Sequence, residues 1–287
     1  MNVPRVVGIV PHPERPAALE LAVEIAQRLR EQSVEVRLLG DGPATPRYAE
    51  PGVAPEEFVT GLDLAISLGG DGTMLRAVDL VYASGAAVLG VNVGQLGYLT
   101  EVEPEDLDQA LDRLLRGDYE VAERMVLQVA VRSQGAAAGN WWALNEATLE
   151  KVKPGRLARL GVSINGAFFT TYAADGVIVA TPTGSTAYSF SARGPIVSPR
   201  HRCLLLTPVS PHMLFDRSLV LGPEEELAFA VRDDRSVLLT IDGRELGELA
   251  AGDDVTCRAG AEPARMVTFG PRDFHQILKA KFGLPER

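Results

Sequence analysis

The chain has 287 residues, of which 46% are hydrophobic and 23% charged, and its formal net charge is −10. This composition is typical of a globular protein with a sizeable core and excludes a disordered chain. The acidic balance argues against a nucleic-acid-binding protein, which needs a basic face, so any anionic substrate would need a locally positive site.

The cysteine content and the apolar runs bear on where the protein works. Cys203 and Cys257 are the two cysteines, far apart and without a Cys-x-x-Cys pair, which predicts neither a zinc site nor a disulfide framework. The start of the chain lacks a signal-peptide layout, and no apolar run approaches the roughly 20 residues of a membrane helix. We therefore expect a cytoplasmic protein with neither membrane nor nucleic-acid partners.

Strands and helices alternate in the first part of the chain. Pro16 suits the first position of a helix in which Leu21, Ile25 and Leu29 share a face. Strands are predicted over 6–10, 34–39, 62–68 and 87–91, a loop over 40–55, and further helices over 73–83 and 104–115. This alternation predicts an α/β fold with a parallel, doubly wound sheet.

The pattern becomes β-like near residue 118. Short β-like segments are predicted at 126–131, 141–144, 161–164, 167–171, 176–180 and 237–241. Asn165-Gly166 and Asp242-Gly243 are hairpin signals between such segments. We predict an α/β domain over 1–118, an all-β domain over 119–260 and a tail over 261–287, with a short helix at 274–282.

The glycine-rich turn Gly69-Gly70-Asp71-Gly72-Thr73 joins a predicted buried strand to a predicted helix. Its glycines would let backbone amides approach a phosphate at the positive end of the helix. A carboxylate repels phosphate, so Asp71 suits removal of a proton from a hydroxyl, or binding of a metal, beside a phosphate in transfer. A plain surface turn explains these residues equally well. Neither a Walker loop nor a Gly-x-Gly-x-x-Gly fingerprint occurs in the chain.

A second polar segment follows the apolar run 176–180. It reads Thr181-Pro182-Thr183-Gly184-Ser185-Thr186-Ala187-Tyr188-Ser189 and is preceded by Asp175. Hydroxyls, a glycine and a tyrosine at this density suit a polar ring system with ribose and phosphate. Alone, a solvated Ser/Thr-rich loop is the simpler interpretation.

Taken together and in this order, these segments resemble the NAD kinase family. The resemblance is carried by the glycine turn, 92–100, Asn145-Glu146, Asp175-Gly176, 182–189, 194–197 and 206–208. Gly-Gly-Asp-Gly also occurs in phosphofructokinases and in diacylglycerol and sphingosine kinases, whereas the Thr-Gly-Ser-Thr-Ala-Tyr-Ser run is far more specific. The resemblance is firm over 62–243.

The resemblance implies a fold, a reaction and an assembly. The fold would be a Rossmann-like N-terminal domain and a β-sandwich-like C-terminal domain, with the site between them and the tail returning to the first domain. The reaction would transfer a phosphoryl group from ATP, with Mg²⁺ or another divalent cation, to the adenosine 2′-hydroxyl of NAD⁺. The protein would be a homodimer or homotetramer, and inorganic polyphosphate stays open as a donor.

The resemblance also implies roles for individual residues. Asp71 would be the general base, with donor phosphates on Gly69, Gly70, Gly72 and Thr73. The residues that would bind NAD⁺ are Asp71, Gly72, Arg76, Asn145, Glu146, Arg156, Ala173, Asp175, Thr186, Ala187, Tyr188, Ser189, Phe190, Ser191 and Arg244. An exposed helix arginine is the alternative interpretation of Arg76. Ala173 stands where many relatives have a basic residue, and Arg193 where many have glycine.

Two other functions remain open on the sequence. A lipid kinase of the diacylglycerol type shares the glycine turn, although no basic or amphipathic membrane-contacting stretch is evident. A non-catalytic protein that senses NAD(H) or NADP(H) on the same scaffold would bind ligand without forming a phosphorylated product.

Overall fold

The structure, a computed structural model, describes residues 3–40, 52–95, 97–133, 135, 137–270 and 273–284. Most of the predicted loop 40–55, and Leu96 of the segment 92–100, lie outside these residues. The chain forms two compact units, the first from the residues up to Glu123 together with those from Ala264 on, and the second over Arg124–Pro263.

The described residues contain six α-helices and eighteen strands. The helices are α1 (Pro16–Glu31), α2 (Pro55–Val59), α3 (Asp71–Val81), α4 (Leu107–Leu115), α5 (Tyr188–Ser191) and α6 (Phe274–Phe282). The strands are β1 (Val6–Pro11), β2 (Glu35–Leu38), β3 (Leu64–Gly69), β4 (Ala87–Asn92), β5 (Glu120–Arg124), β6 (Leu127–Arg132), β7 (Gly139–Ala143), β8 (Glu146–Lys151), β9 (Ala158–Ile164), β10 (Ala167–Ala174), β11 (Gly176–Ala180), β12 (Leu204–Val209), β13 (Leu219–Leu221), β14 (Leu227–Val231), β15 (Val237–Ile241), β16 (Arg244–Leu249), β17 (Asp254–Ala259) and β18 (Ala264–Thr268).

The first unit is a six-stranded sheet with helices on both faces. The strand order is β2-β1-β3-β4-β18-β5, and the pairs from β2 through β18 are parallel. Helices α1 and α4 pack in one apolar cluster with Val7 and Ile9 of β1. Side chains alternate along a strand, so Gly8 faces the other way, where Phe58 of α2 lies against it. The parallel sheet predicted for this part of the chain is therefore present.

Several elements of the first unit differ from the sequence prediction. The predicted helix 104–115 divides into a 3-10 turn at Pro104–Asp106 and helix α4, and the short helix α2 has no counterpart in the prediction. Strand β5 lies at the edge of the first sheet, although the sequence assigned its residues to the second domain. Its neighbour β18 is far along the chain, so no local pattern indicates the pairing.

The second unit consists of two antiparallel six-stranded sheets. Their strand orders are β10-β9-β14-β17-β6-β7 and β13-β12-β11-β8-β15-β16. One apolar core receives side chains from both sheets, for example Phe229 from the first and Leu149 and Leu239 from the second. Since neighbours on a strand point to opposite faces, Glu146, Thr148 and Glu150 of β8 lie on the face away from this core.

Both predicted hairpin turns are found in the second unit. Asn165 and Gly166 have φ of 52° and 77° between β9 and β10, and Asp242 and Gly243 have φ of 47° and 79° between β15 and β16. Positive φ at both central residues is the type I′ geometry that suits antiparallel strands. None of the described helices is long and apolar enough to cross a membrane.

Candidate active site

The glycine turn forms one wall of a cavity in the first unit. Strand β3 ends at Gly69, where an added Cβ would lie 2.2 Å from the Thr73 hydroxyl, so only glycine fits there. A Cβ on Gly70 or Gly72 would meet no atom within 4 Å. Their backbone therefore faces open space at the start of α3, where the helix end favours anions. The cavity has a volume of about 740 Å³.

The carboxylate of Asp71 is held by the backbone of a neighbouring loop. Its Oδ1 accepts from the Leu99 N–H and its Oδ2 from the Tyr98 N–H, each at 2.9 Å. The loop approaches so closely that a Cβ on Gly97 would lie 2.2 Å from Oδ1. Each carboxylate oxygen retains a lone pair beyond these two bonds. Asp71 is thus fixed at the cavity wall and able to accept a proton.

Cationic side chains from three parts of the first unit line the same cavity. They are Arg76 on α3, Arg15 at the N-cap of α1 and Lys281 on α6. The Arg15 guanidinium donates to the Val93 carbonyl. The Lys281 ammonium lies 4.5 Å from the centre of the Tyr98 ring. These cations supply the locally positive region that the acidic chain would need for an anionic substrate.

Most of the site residues predicted for the first unit line the cavity. The residues that line it are His12, Pro13, Glu14, Arg15, Gly70, Asp71, Gly72, Thr73, Arg76, Gln95, Gly97 and Lys281. Gly70, Asp71, Gly72, Thr73 and Arg76 of the prediction are therefore brought together. The predicted phosphate-binding residue Gly69 is not in this lining, because it lies beneath Thr73.

In the second unit, Asp242 organises the corner at Asn145 and Glu146. Its carboxylate accepts from the backbone N–H groups of Leu144, Asn145 and Glu146 at 2.7, 2.8 and 3.0 Å. Gly184 packs against the same corner, where a Cβ would lie 2.2 Å from the Asn145 carbonyl oxygen. Two polar segments that are well separated in the sequence therefore meet here.

Glu146 carries a buried carboxyl group at this corner. Its relative exposure is 7%, and among the described residues none bonds its Oε2. Burial, assisted by the charge of Asp242, raises the pKa of Glu146 to about 8, while the backbone N–H of Tyr188 acts in the opposite direction. A buried polar atom without a partner is costly, so Oε2 is well suited to a hydrogen bond with a ligand hydroxyl.

Tyr188 begins the single helical turn α5 beside Glu146. Its phenol donates to Glu150 Oε1 at 2.7 Å. Burial and this hydrogen bond raise the pKa of Tyr188 to about 12, so it stays a neutral donor. The Lys151 ammonium lies 2.5 Å from an oxygen of Asp175, which forms an ion pair at the end of β8.

The other predicted residues lie at several places in the second unit. Thr186 ends the 3-10 turn Thr183–Thr186 and bonds the Thr183 carbonyl at 3.4 Å, and Ala187 joins that turn to α5. Ser189 is fully buried, with its hydroxyl 3.0 Å from that of Thr207. The remaining predicted residues are Phe190 and Ser191 on α5, both exposed, Ala173 on β10, Arg156 in the exposed loop after β8, and Arg244 on β16, with its guanidinium 5.5 Å from the centre of the Trp141 ring.

Sequence reasoning missed several residues that shape these sites. Asp242 was interpreted only as part of a hairpin turn. Glu150 shares a strand face with Glu146, and the alternating spacing along β8 could have indicated it. No local sequence pattern marks Lys151, Arg15 or Lys281 as site residues, since each is brought into place by packing between distant parts of its unit.

A parallel α/β unit with a glycine turn and a fixed carboxylate, followed in the chain by an antiparallel unit with a polar corner, is the arrangement expected of a nucleotide-dependent phosphotransferase. The ATP-NAD kinase N-terminal domain matches residues 7–119, and the ATP-NAD kinase C-terminal domain matches residues 144–269. The chain belongs to the NAD kinase family, as its resemblance predicted.

Relatives and solved structures agree with this assignment. The chain is 41% identical to NAD kinase 2 of Streptomyces avermitilis over 98% of this chain and 95% of that protein. It is similar to a crystal structure of yeast NADH kinase complexed with NADH, with 26% identity, a TM-score of 0.89 and coverage of 100% and 90% of the two chains. It is also similar to an NAD kinase from Archaeoglobus fulgidus in complex with ATP, with 26% identity, a TM-score of 0.70 and coverage of 97% and 96%.

Proposed function

We propose that this chain transfers the terminal phosphoryl group of ATP to the adenosine 2′-hydroxyl of NAD⁺, which forms NADP⁺ and ADP. The observation that carries the proposal is the Asp71 carboxylate, fixed by two amides at the wall of the cavity that the glycine turn lines. Asp71 would remove the proton as the hydroxyl oxygen attacks the phosphorus and the bond to ADP breaks.

The remaining predicted residues would divide between donor and acceptor. The amides of Gly70, Gly72 and Thr73 would bind donor phosphates, and Arg76 would meet the pyrophosphate of NAD⁺. The unbonded oxygen of Glu146 would form a hydrogen bond with a ribose hydroxyl of NAD⁺. The other proposed contacts to NAD⁺ are those of Asn145, Arg156, Ala173, Asp175, Thr186, Ala187, Tyr188, Ser189, Phe190, Ser191 and Arg244.

A divalent cation would reach the site with the nucleotide. In the described part of the chain no three His, Cys, Asp or Glu side chains converge as a metal site. Mg²⁺ commonly binds through one or two carboxylates together with substrate phosphates, and Glu14 supplies a carboxylate at the cavity besides the proposed base Asp71. The ion would neutralise charge on the transferring phosphate.

Further parts of the proposal concern architecture and setting. We propose a Rossmann-like label for the first domain, supported by its parallel sheet with helices on both faces, and a sandwich-like label for the second, supported by the core that its two sheets share. The buried free thiols of Cys203 and Cys257 are compatible with the expected cytoplasm. A homodimer or homotetramer, and polyphosphate as a second donor, stay part of the proposal.

The test is an assay of NADP⁺ formation from NAD⁺, ATP and Mg²⁺, read by an NADP⁺-specific dehydrogenase. Asp71→Asn should lower kcat by on the order of a hundredfold or more in a folded protein. Asp79→Asn, on the same helix but away from the cavity lining, is the matched control and should retain turnover. Near-normal turnover in Asp71→Asn would reject the base assignment. Binding of NAD⁺ without product in the wild type would indicate a sensor, and phosphorylation of diacylglycerol would indicate a lipid kinase.

A further inference from the structure

The cavity of the first unit has a cationic side that the glycine turn does not explain. Arg15 and Lys281 line it together with Arg76, and the carboxylates in the lining are those of Asp71 and Glu14. These three cations come from the N-cap of α1, from α3 and from α6, so three separate segments place positive charge around one space. In a chain with a net charge of −10, such convergence favours a ligand with several negative charges.

The positions of Arg15 and Lys281 are supported by contacts. Arg15 is anchored by its hydrogen bond to the Val93 carbonyl. Lys281 stacks on the ring of Tyr98, and the backbone of Tyr98 donates to Asp71. The ammonium of Lys281 is therefore tied to the loop that orients the proposed base.

The free space is large enough for a chain of phosphates. Gly70 and Gly72 have no atom within 4 Å of an added Cβ, which leaves their amides approachable from the cavity. The volume of about 740 Å³ lies in the usual range for small-molecule sites. Backbone amides on one wall and long cationic side chains on another would contact successive phosphates.

We propose that Lys281 and Arg15 bind the polyphosphate chain of the phosphoryl donor, so that the C-terminal helix α6 forms part of the donor site. This inference rests on the proposed kinase function and adds two binding residues to it. The ligand chemistry is a linear polyphosphate, whether it belongs to ATP or to an inorganic polyphosphate.

The kinetic test compares Lys281→Ala and Arg15→Ala with Lys279→Ala, a control on the same helix that does not line the cavity. Each cavity variant should raise KM for the donor by on the order of tenfold, since it removes charge-assisted hydrogen bonds, with KM for NAD⁺ changed less than about twofold. Lys281→Arg should restore most of the donor affinity. ATP and inorganic polyphosphate are assayed in parallel, and KM must rise for whichever donor the wild type uses.

A binding measurement separates this inference from the kinase proposal. Calorimetric titration with inorganic tripolyphosphate requires no turnover and should show weaker binding to Lys281→Ala than to the wild type or Lys279→Ala. The inference would be overturned if Lys281→Ala and Lys279→Ala changed the affinity for tripolyphosphate equally. It would also be overturned if only the affinity for NAD⁺ were lost. Loss of ATP affinity with unchanged tripolyphosphate affinity would also overturn it, because it would assign Lys281 to the nucleoside. A wild type that binds tripolyphosphate but forms no NADP⁺ would refute the kinase proposal alone.

Discussion

The buried carboxyl group of Glu146 makes the stability of the second unit depend on pH. Its pKa is raised from an ordinary value of 4.5 to about 8 in the folded state, chiefly by burial. Between these values the folded protein holds a proton that the unfolded chain has released. The stability that this group contributes is therefore complete below pH 4.5 and is lost as the pH rises toward 8.

The size of the effect follows from the shift. One pKa unit corresponds to about 1.4 kcal/mol, so raising the pH from about 5.5 to about 7.5 should lower the free energy of unfolding by about 2–3 kcal/mol through this group. In Glu146→Gln, this contribution to the pH dependence of the free energy of unfolding is absent.

The assay can be confined to the second unit. The two tryptophans of the chain, Trp141 and Trp142, both lie there, so their fluorescence during urea unfolding reports on this unit. Glu248→Gln, at an exposed position on β16, is the matched control. The difference in free energy of unfolding between Glu146→Gln and the wild type should grow in favour of the variant from the lower to the higher pH. An unchanged difference would refute the reasoning.

Three further substitutions test individual contacts. Gly97→Ala should displace the Asp71 carboxylate and lower kcat by on the order of a hundredfold with KM nearly unchanged. Full activity of this variant in steady-state kinetics would show that turnover does not depend on the position of the Asp71 carboxylate. Asp242→Asn should lower the pKa of Glu146, since it removes a like charge, and should lower the free energy of unfolding by about 1–3 kcal/mol. If urea unfolding followed by tryptophan fluorescence showed the same pH dependence in Asp242→Asn as in the wild type, the proposed effect of Asp242 on the pKa of Glu146 would be wrong. Arg193 has φ of 67°, so Arg193→Gly should raise the free energy of unfolding by about 0.5–1 kcal/mol, and a loss in the same urea assay would count against backbone strain there.

The features predicted correctly from the sequence are those with a local physical cause. Pro16 begins α1 because its fixed φ suits the first helical position. Asn165-Gly166 and Asp242-Gly243 form turns because their residues tolerate positive φ. The turn from Gly69 into α3 could also be predicted, since a buried strand, three glycines and a helical pattern follow one another directly.

The features that escaped prediction depend on residues that are distant in the sequence. The place of β5 beside β18 is set by pairing across the whole second unit, and no periodicity reports it. Asp242 gains its role from three amides almost a hundred positions away, and Lys281 gains its place from the packing of α6 near Tyr98. A linear pattern shows which residue types are available, whereas convergence of this kind needs the fold.

The second unit is inserted in the sequence between the two segments of the first unit, and this order matters during synthesis on the ribosome. The whole second unit, Arg124–Pro263, emerges before β18, whose Met266 pairs with Val88 of β4. Because domains fold as units during translation, the inserted β unit should be complete while that part of β4 still has an open edge, a known template for aggregation. A nascent chain that stops before residue 264 would thus combine a folded second unit with a first unit whose sheet edge is unpaired and prone to aggregation. Synthesis of β18 is therefore needed to cover that edge.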